Sequence, residues 1–240
     1  MRVVGLIGGM SWESSSEYYR IINQLVAQRL GGLHSARTIL YSLDFQEIER
    51  AQHRGRWNDA LAMLVQAGNA LETAGADFLV LCTNTMHKVA DRLAAEVGLP
   101  LLHIVDPTGE AIKRCGLRTV GLLGTRFTME DTFYVGRLKE RFGIETLVPS
   151  VEEQATIDRI IYDELCKGIV KSSSRRTCAT ILRKLTAQGA EGIILGCTEL
   201  PLLVSPTDVS VPLFDTTRLH AEAAVNLALT PDEERAVPSC

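Results

Sequence analysis

Leu71-Glu72-Thr73-Ala74-Gly75-Ala76-Asp77-Phe78-Leu79-Val80-Leu81-Cys82-Thr83 reads, 114 residues later, as Leu185-Thr186-Ala187-Gln188-Gly189-Ala190-Glu191-Gly192-Ile193-Ile194-Leu195-Gly196-Cys197. Leu, Gly-Ala, an acid and Leu recur in register, and the same offset carries Thr83 onto Cys197. A second pair, Val4-Gly5-Leu6-Ile7-Gly8 and Val120-Gly121-Leu122-Leu123-Gly124, lies 116 residues apart. Each copy is a short apolar run that ends in a turn, the pattern of a buried parallel strand. An internal repeat of this kind implies two similar α/β lobes.

Working outward, Val3–Ile7 reads as a strand, followed by a helical stripe of Tyr18, Ile21, Ile22, Leu25 and Val26 that ends at Gly31-Gly32. Further strands are predicted at 38–43, 78–82, 101–105, 119–123, 192–196 and 211–214. Helices are predicted near 58–74, 86–97, 152–166, 174–188 and 216–229. The fold class is therefore α/β, with two similar, pseudo-symmetric lobes built on parallel sheets. The lobes are placed at 1–115 and 116–215, with helix 216–229 packing back on the first and 230–240 a disordered polar tail.

Composition narrows the function. The 240 residues are 46% hydrophobic and 22% charged, with a net charge of −4, as in an ordinary globular protein. Lys and Arg are spread along the chain, so nucleic acid is not an expected partner. The apolar start Val3-Val4-Gly5-Leu6-Ile7 is too short for a signal segment, and no apolar run approaches membrane-spanning length. A cytoplasmic protein without a membrane partner is expected. Six cysteines (Cys82, Cys115, Cys166, Cys178, Cys197, Cys240) at irregular spacing, and five scattered histidines, indicate neither a disulfide framework nor a metal site. G-x-G-x-x-G and the Walker pattern are absent, leaving a nucleotide cofactor unsupported. The turns Gly8-Gly9-Met10-Ser11 and Gly124-Thr125 leave room for backbone to approach a small ligand.

In open parallel sheets, ligands sit beyond the carboxyl ends of the strands, where both Thr83 and Cys197 fall. If the lobes face one another across a pseudo-twofold, these residues approach one small ligand from opposite sides; alternatively each simply caps a strand. Cys197 precedes the polar start of a helix, a position that depresses a thiol pKa and suits a nucleophile or a base. A buried structural cysteine is the other reading. Strand alternation turns Cys82 to the opposite face, into the core. His87 and His103 are either acid/base residues or hydrogen-bonded core residues.

The blocks Gly8-Gly9-Met10-Ser11, Cys82-Thr83-Asn84-Thr85-Met86-His87 and Gly196-Cys197-Thr198-Glu199 resemble the signature blocks of the PLP-independent aspartate/glutamate racemases, over essentially 1–229. The resemblance implies two Rossmann-like lobes enclosing an amino-acid substrate in an active site in the cleft between them, two cysteines exchanging its Cα proton from opposite faces, no cofactor, no metal, and a homodimer. It makes Cys197 the thiol that serves the L-enantiomer. The first cysteine should precede Asn84, and Thr83 stands there instead, as in a subgroup that looks L-aspartate/L-glutamate specific; broad-specificity racemases are also similar. The resemblance further places Met10, Asn84, Thr85, Thr125 and Thr198 around the substrate, with Gln52 selecting its side chain. Lys167 would pair with a distal carboxylate, unless it is a solvated helix-end lysine. A one-thiol decarboxylase or isomerase, and a non-catalytic amino-acid binding protein, are the alternative readings.

Overall fold

A computed structural model describes residues 1–231; of the tail expected to be disordered, 232–240 lie outside the described residues. The first part of the chain runs β1 (Val4–Gly8), α1 (Trp12–Leu30), β2 (Thr38–Ser42), α2 (Phe45–His53), α3 (Trp57–Thr73), β3 (Phe78–Leu81), a 3-10 turn (Thr85–Val89), α4 (Ala90–Glu96) and β4 (Leu101–Leu102). The second part runs α5 (Val105–Arg114), β5 (Thr119–Gly124), α6 (Arg126–Glu130), α7 (Thr132–Phe142), β6 (Glu145–Leu147), α8 (Val151–Asp163), a 3-10 turn (Leu165–Lys167), α9 (Ser172–Ala187), β7 (Ile193–Gly196), α10 (Leu200–Leu203), β8 (Leu213–Asp215) and α11 (Thr216–Leu229).

Among the described residues the strands form two all-parallel sheets, ordered β2-β1-β3-β4 and β6-β5-β7-β8. The two orders are the same, and the repeat fixes the register as well. Gly5 pairs with Leu79 and Ile7 with Leu81 in the first sheet; Gly121 pairs with Ile193 and Leu123 with Leu195 in the second. Each second-sheet pair is the first displaced by 116 and 114 residues, the two offsets of the sequence repeat.

The repeated Leu, Gly-Ala and acid have assignable work. The Ala76 amide bonds back to Leu71 O and the Ala190 amide to Leu185 O, both at 3.0 Å, closing the ends of α3 and α9. Gly75 (φ 92°) and Gly189 (φ 104°) supply the left-handed turn this closure needs. The acid then docks the next strand. Asp77 Oδ2 accepts from the Val3 amide at 2.6 Å, and Glu191 Oε2 from the Thr119 amide at 2.9 Å. In return the Asp77 and Glu191 amides donate to Val3 O and Thr119 O.

All residues of β1 and β3 are buried, as strands covered on both faces must be. Ser11 caps α1 by accepting from the Ser14 amide, and the helix buries the expected stripe of Tyr18, Ile21, Ile22, Leu25 and Val26 against Val4, Leu6 and Phe78. Ala221, Ala224, Val225 and Ala228 of α11 join the same core. At about 1.5–3 kcal/mol for each large side chain buried, that stripe is the main anchor of α1.

Several elements depart from the sequence reading. The strand expected at 101–105 stops at Leu102, because Val105 already begins α5. The helix expected at 86–97 opens with a 3-10 turn, and that expected at 152–166 ends at Asp163. Helices α2, α5 and α7 and the edge strand β6 were not anticipated.

Contacts divide the chain into two compact units. Among the described residues, one comprises Met1–Cys82, Asp91–Leu102 and 221–231; the other comprises Thr83–Ala90 and His103–His220. The sequence reading had placed 83–90 and 103–115 in the first lobe. Packing draws 103–115 into the second unit: Ile104, Val105, Ala111 and Ile112 are buried in its core. A Cβ at Gly109 would lie 2.5 Å from the Phe142 ring, so α5 and α7 approach there with no room for a side chain. Asp106 accepts from Arg137 at 2.7 and 2.8 Å and from Arg141 at 2.6 Å.

Candidate active site

The second sheet sets the frame. Gly124 and Gly196 pair at the ends of the neighbouring strands β5 and β7, so Thr125 and Cys197 leave the sheet side by side, about 5 Å apart in the backbone. The glycines permit this closeness. A Cβ on Gly124 would stand 2.9 Å from Gly196 O, and one on Gly196 would stand 3.0 Å from Leu123 O. In the first unit a Cβ on Gly9 would lie 2.1 Å from Leu43 O. These glycines answer to the protein's own backbone, where the sequence reading had left their space to a ligand.

Cys197 is buried, and its Sγ donates to Glu199 Oε2 at 3.0 Å. The same oxygen accepts the Thr198 hydroxyl at 2.6 Å. Burial, and after it the neighbouring Glu199 charge, pushes the Cys197 thiol well above its ordinary value. The sequence reading expected the opposite shift, from a helix amino-terminus. Helix α10 has only four residues and begins at Leu200, so the group next to the sulfur is a carboxylate and the resting side chain is a thiol. Glu199 is thus a functional candidate that the motif contained and the reading did not single out.

Thr83, Asn84 and Thr85 belong to the second unit, together with Thr125, Cys197 and Thr198. Thr85 Oγ1 lies 2.9 Å from Thr125 Oγ1, which is 3.1 Å from Thr128 Oγ1. Asn84 Nδ2 donates to Thr216 Oγ1 at 3.0 Å, and the Thr216 hydroxyl donates to Leu195 O at 2.9 Å. Asn84 Oδ1 is buried and, among the described residues, has no hydrogen-bond partner. Thr216 lies 132 residues from Asn84 and in no motif, so sequence offered no signal for it.

Buried Thr83 is held through its carbonyl, 2.8 Å from His87 Nδ1. The Ile104 amide donates to His87 Nε2 at 3.1 Å; that nitrogen is therefore the acceptor, and Nδ1 carries the hydrogen given to Thr83. His87 packs edge-on to His103 and His220, with centroids 4.7 and 5.7 Å away. Burial, reinforced by His103 and His220, holds its pKa well below the ordinary histidine value. Burial and then Arg137 lower His103 to about 3. Of the two sequence readings of His87, the hydrogen-bonded core residue is the one observed.

Met10, beyond β1, and Gln52, on α2, are buried residues of the first unit. Lys167 Nζ is 3.5 Å from Asp163 and its side chain is 60% exposed, as a solvated helix-end lysine would be. Cys82 is fully buried in the first core. Among the described residues no group of three or more His, Cys, Asp or Glu side chains could hold a metal ion, and no helix is long and apolar enough to cross a membrane.

The comparisons agree with this architecture. Residues 7–224 match the Asp/Glu/hydantoin racemase family. The broad specificity amino-acid racemase RacX of Bacillus subtilis is 24% identical, over 95% of this chain and 98% of its own. A candidate Asp/Glu racemase from Yersinia pestis is 55% identical, with a TM-score of 0.89 over 96% of this chain and 100% of that one. An aspartate racemase homologue from Pyrococcus horikoshii is 36% identical, with a TM-score of 0.82 over the same shares. From β1 to α11, in sequence and in fold, the chain belongs to the Asp/Glu/hydantoin racemase family.

Proposed function

We propose that this chain is a cofactor-independent amino-acid racemase acting on L-aspartate or L-glutamate, with Cys197 as the base on the L side and Thr83 in place of the second thiol. The observation that carries it is the Cys197 thiol held 3.0 Å from Glu199 at the end of β7. Glu199 takes the thiol proton, and the thiolate so formed takes the Cα proton of the L-amino acid. A proton returns to the opposite face from the Thr83 side, by the hydroxyl or a water beside it. A hydroxyl is a far weaker acid and base than a thiol, so the two directions run unequally.

The surrounding groups suit a zwitterion. Asn84 Oδ1 needs a donor, which an α-ammonium supplies, while the linked hydroxyls of Thr85 and Thr125 are within the same unit for the α-carboxylate, and Thr198, whose hydrogen goes to Glu199, lines the substrate beside Cys197. Met10 and Gln52 complete the proposed substrate contacts. Preorganised donors around the developing carbanion, with water excluded, lower the cost of removing an unactivated Cα proton. A homodimer in the cytoplasm goes with this reading.

Thr83 also favours a second reading, a decarboxylase or isomerase that protonates one face with a lone thiol. A simple diacid, however, offers Asn84 Oδ1 no ammonium, and an unpaired buried acceptor costs about 1–3 kcal/mol. Proton NMR of the L- and D-forms of aspartate and glutamate in deuterated water, followed by chiral chromatography, tests the proposal. Exchange of the L-form Cα proton, with slow or one-directional D-product, is expected. Absence of exchange with all four would overturn it.

A further inference from the structure

We propose that Thr216 is a positioning residue that sets the direction of the Asn84 amide and so makes the site read the substrate's ammonium; this rests on the racemase reading of the site. The amide torsion of asparagine is broad and roughly two-fold, so Asn84 has no intrinsic reason to present its oxygen to a ligand instead of its nitrogen. What decides is the neighbour. A threonine hydroxyl has a single hydrogen, and that of Thr216 is committed to Leu195 O at 2.9 Å. Only lone pairs then face Asn84 at 3.0 Å. They accept an N–H and repel a carbonyl oxygen. A flipped amide would set two oxygens against each other with no hydrogen between them, in a place where neither Thr216 nor Asn84 is open to water. The amide nitrogen is therefore locked toward Thr216, and Oδ1 is left as the buried acceptor without a partner.

The position of Thr216 follows from the fold. Leu195 pairs with Asp215, the last residue of β8, and Thr216 comes one residue later at the start of α11. Asp215 Oδ1 caps that helix by accepting from the Thr217 and Arg218 amides at 3.0 and 3.2 Å. One hydroxyl thus ties Asn84, the residue after Thr83, to a carbonyl two residues before Cys197. Both candidate catalytic residues are referenced to the same fixed point.

Calorimetric binding of L-glutamate, compared with glutarate, which has both carboxylates and no ammonium, reads this directly. Wild-type protein is expected to prefer L-glutamate. In Thr216→Val the amide is free to turn, and the preference is expected to fall about tenfold, the worth of one hydrogen bond to a charged donor. Glutarate binding stays constant, and Thr216→Ser restores the preference. Thr216→Ala gives the same reading should the valine variant not fold. A preference in Thr216→Val or Thr216→Ala within twofold of wild type overturns the proposal, as does a wild type that binds both acids equally. Binding needs no turnover: absence of Cα exchange in the wild type would overturn the racemase reading, while the clamp would still stand or fall on the ratio.

Discussion

Glu199 Oε2 sits 3.0 Å from the sulfur of Cys197 and draws on two donors at once, that thiol and the hydroxyl of Thr198. A carboxylate in that place has two opposed effects on the thiol. Its charge, added to burial, keeps the sulfur protonated, and its oxygen offers the proton somewhere to go when substrate arrives. On the proposed racemase reading, acidity at rest and readiness to react are thereby separated, the reactive thiolate being formed only when it is used.

Replacing Glu199 with Gln should therefore move two measurements in opposite directions. Without the negative charge the thiol pKa falls, and alkylation of Cys197 by iodoacetamide at neutral pH speeds up. Without the proton acceptor, Cα exchange of the L-amino acid slows by about 10²–10⁴, the range for loss of a general base. If exchange and alkylation rise or fall together, Glu199 is not the thiol's proton acceptor.

The histidine group predicts acid sensitivity. His87 and His103 are held neutral in the fold, His103 with a pKa near 3, whereas in the unfolded chain each titrates near about 6.5. The unfolded state thus binds more protons below that pH. Their contribution is complete above about pH 6.5 and is lost as pH falls below that, for His103 down to about 3, at up to about 1.4 kcal/mol per pH unit for each histidine. Urea unfolding followed from pH 7 to pH 4.5 should show this slope. It should be shallower in His103→Gln, and a flat profile would contradict the neutral assignment.

Much of the fold was legible because the chain says it twice. The offsets of 114 and 116 residues led from Gly5 and Leu79 to Gly121 and Ile193, and those pairs face each other in the sheets. What escaped was decided by contacts distant in sequence. Residues 103–115 follow β4 directly, yet Ile104, Val105 and Ile112 pack in the second core, and nothing local announces it. Cys197 was found at its strand end, but its ionisation was read from a helix amino-terminus when the near charge was Glu199, two residues on. The Asn84–Thr216 bond spans most of the chain and has no sequence signature.

Gly9 and Gly75 separate two costs of a left-handed glycine. Both have positive φ, 87° and 92°. A Cβ at Gly75 meets nothing within 4 Å, whereas one at Gly9 would overlap the Leu43 backbone. Gly75→Ala should lose about 1–2 kcal/mol, the conformational cost alone. Gly9→Ala should lose about 1–3 kcal/mol more through forced backbone movement. Thermal unfolding of the two variants should place the Gly9→Ala midpoint lower by several degrees, on the order of 2–4 °C per kcal/mol for a chain of this size. Equal midpoints would mean that the Gly9–Leu43 contact relaxes without cost.

Thr83→Cys tests what the departure at this position does. The backbone of residue 83 is pinned by the His87 bond to its carbonyl, and cysteine is smaller than threonine by one branch, so the exchange requires no rearrangement of the turn. On the proposed reading, a thiol in that place supplies an acid and base for the substrate face opposite Cys197. Exchange of the D-enantiomer's Cα proton should then rise by at least about tenfold, given the 10²–10⁴ range of acid–base catalysis by a positioned side chain. L-side exchange, which starts at Cys197, should change much less, and both rates are read from the same deuterium-exchange spectra. If the D-side rate does not move, the returning proton comes from solvent and not from the side chain at 83. In that case Thr83→Ala should match the wild type in both directions.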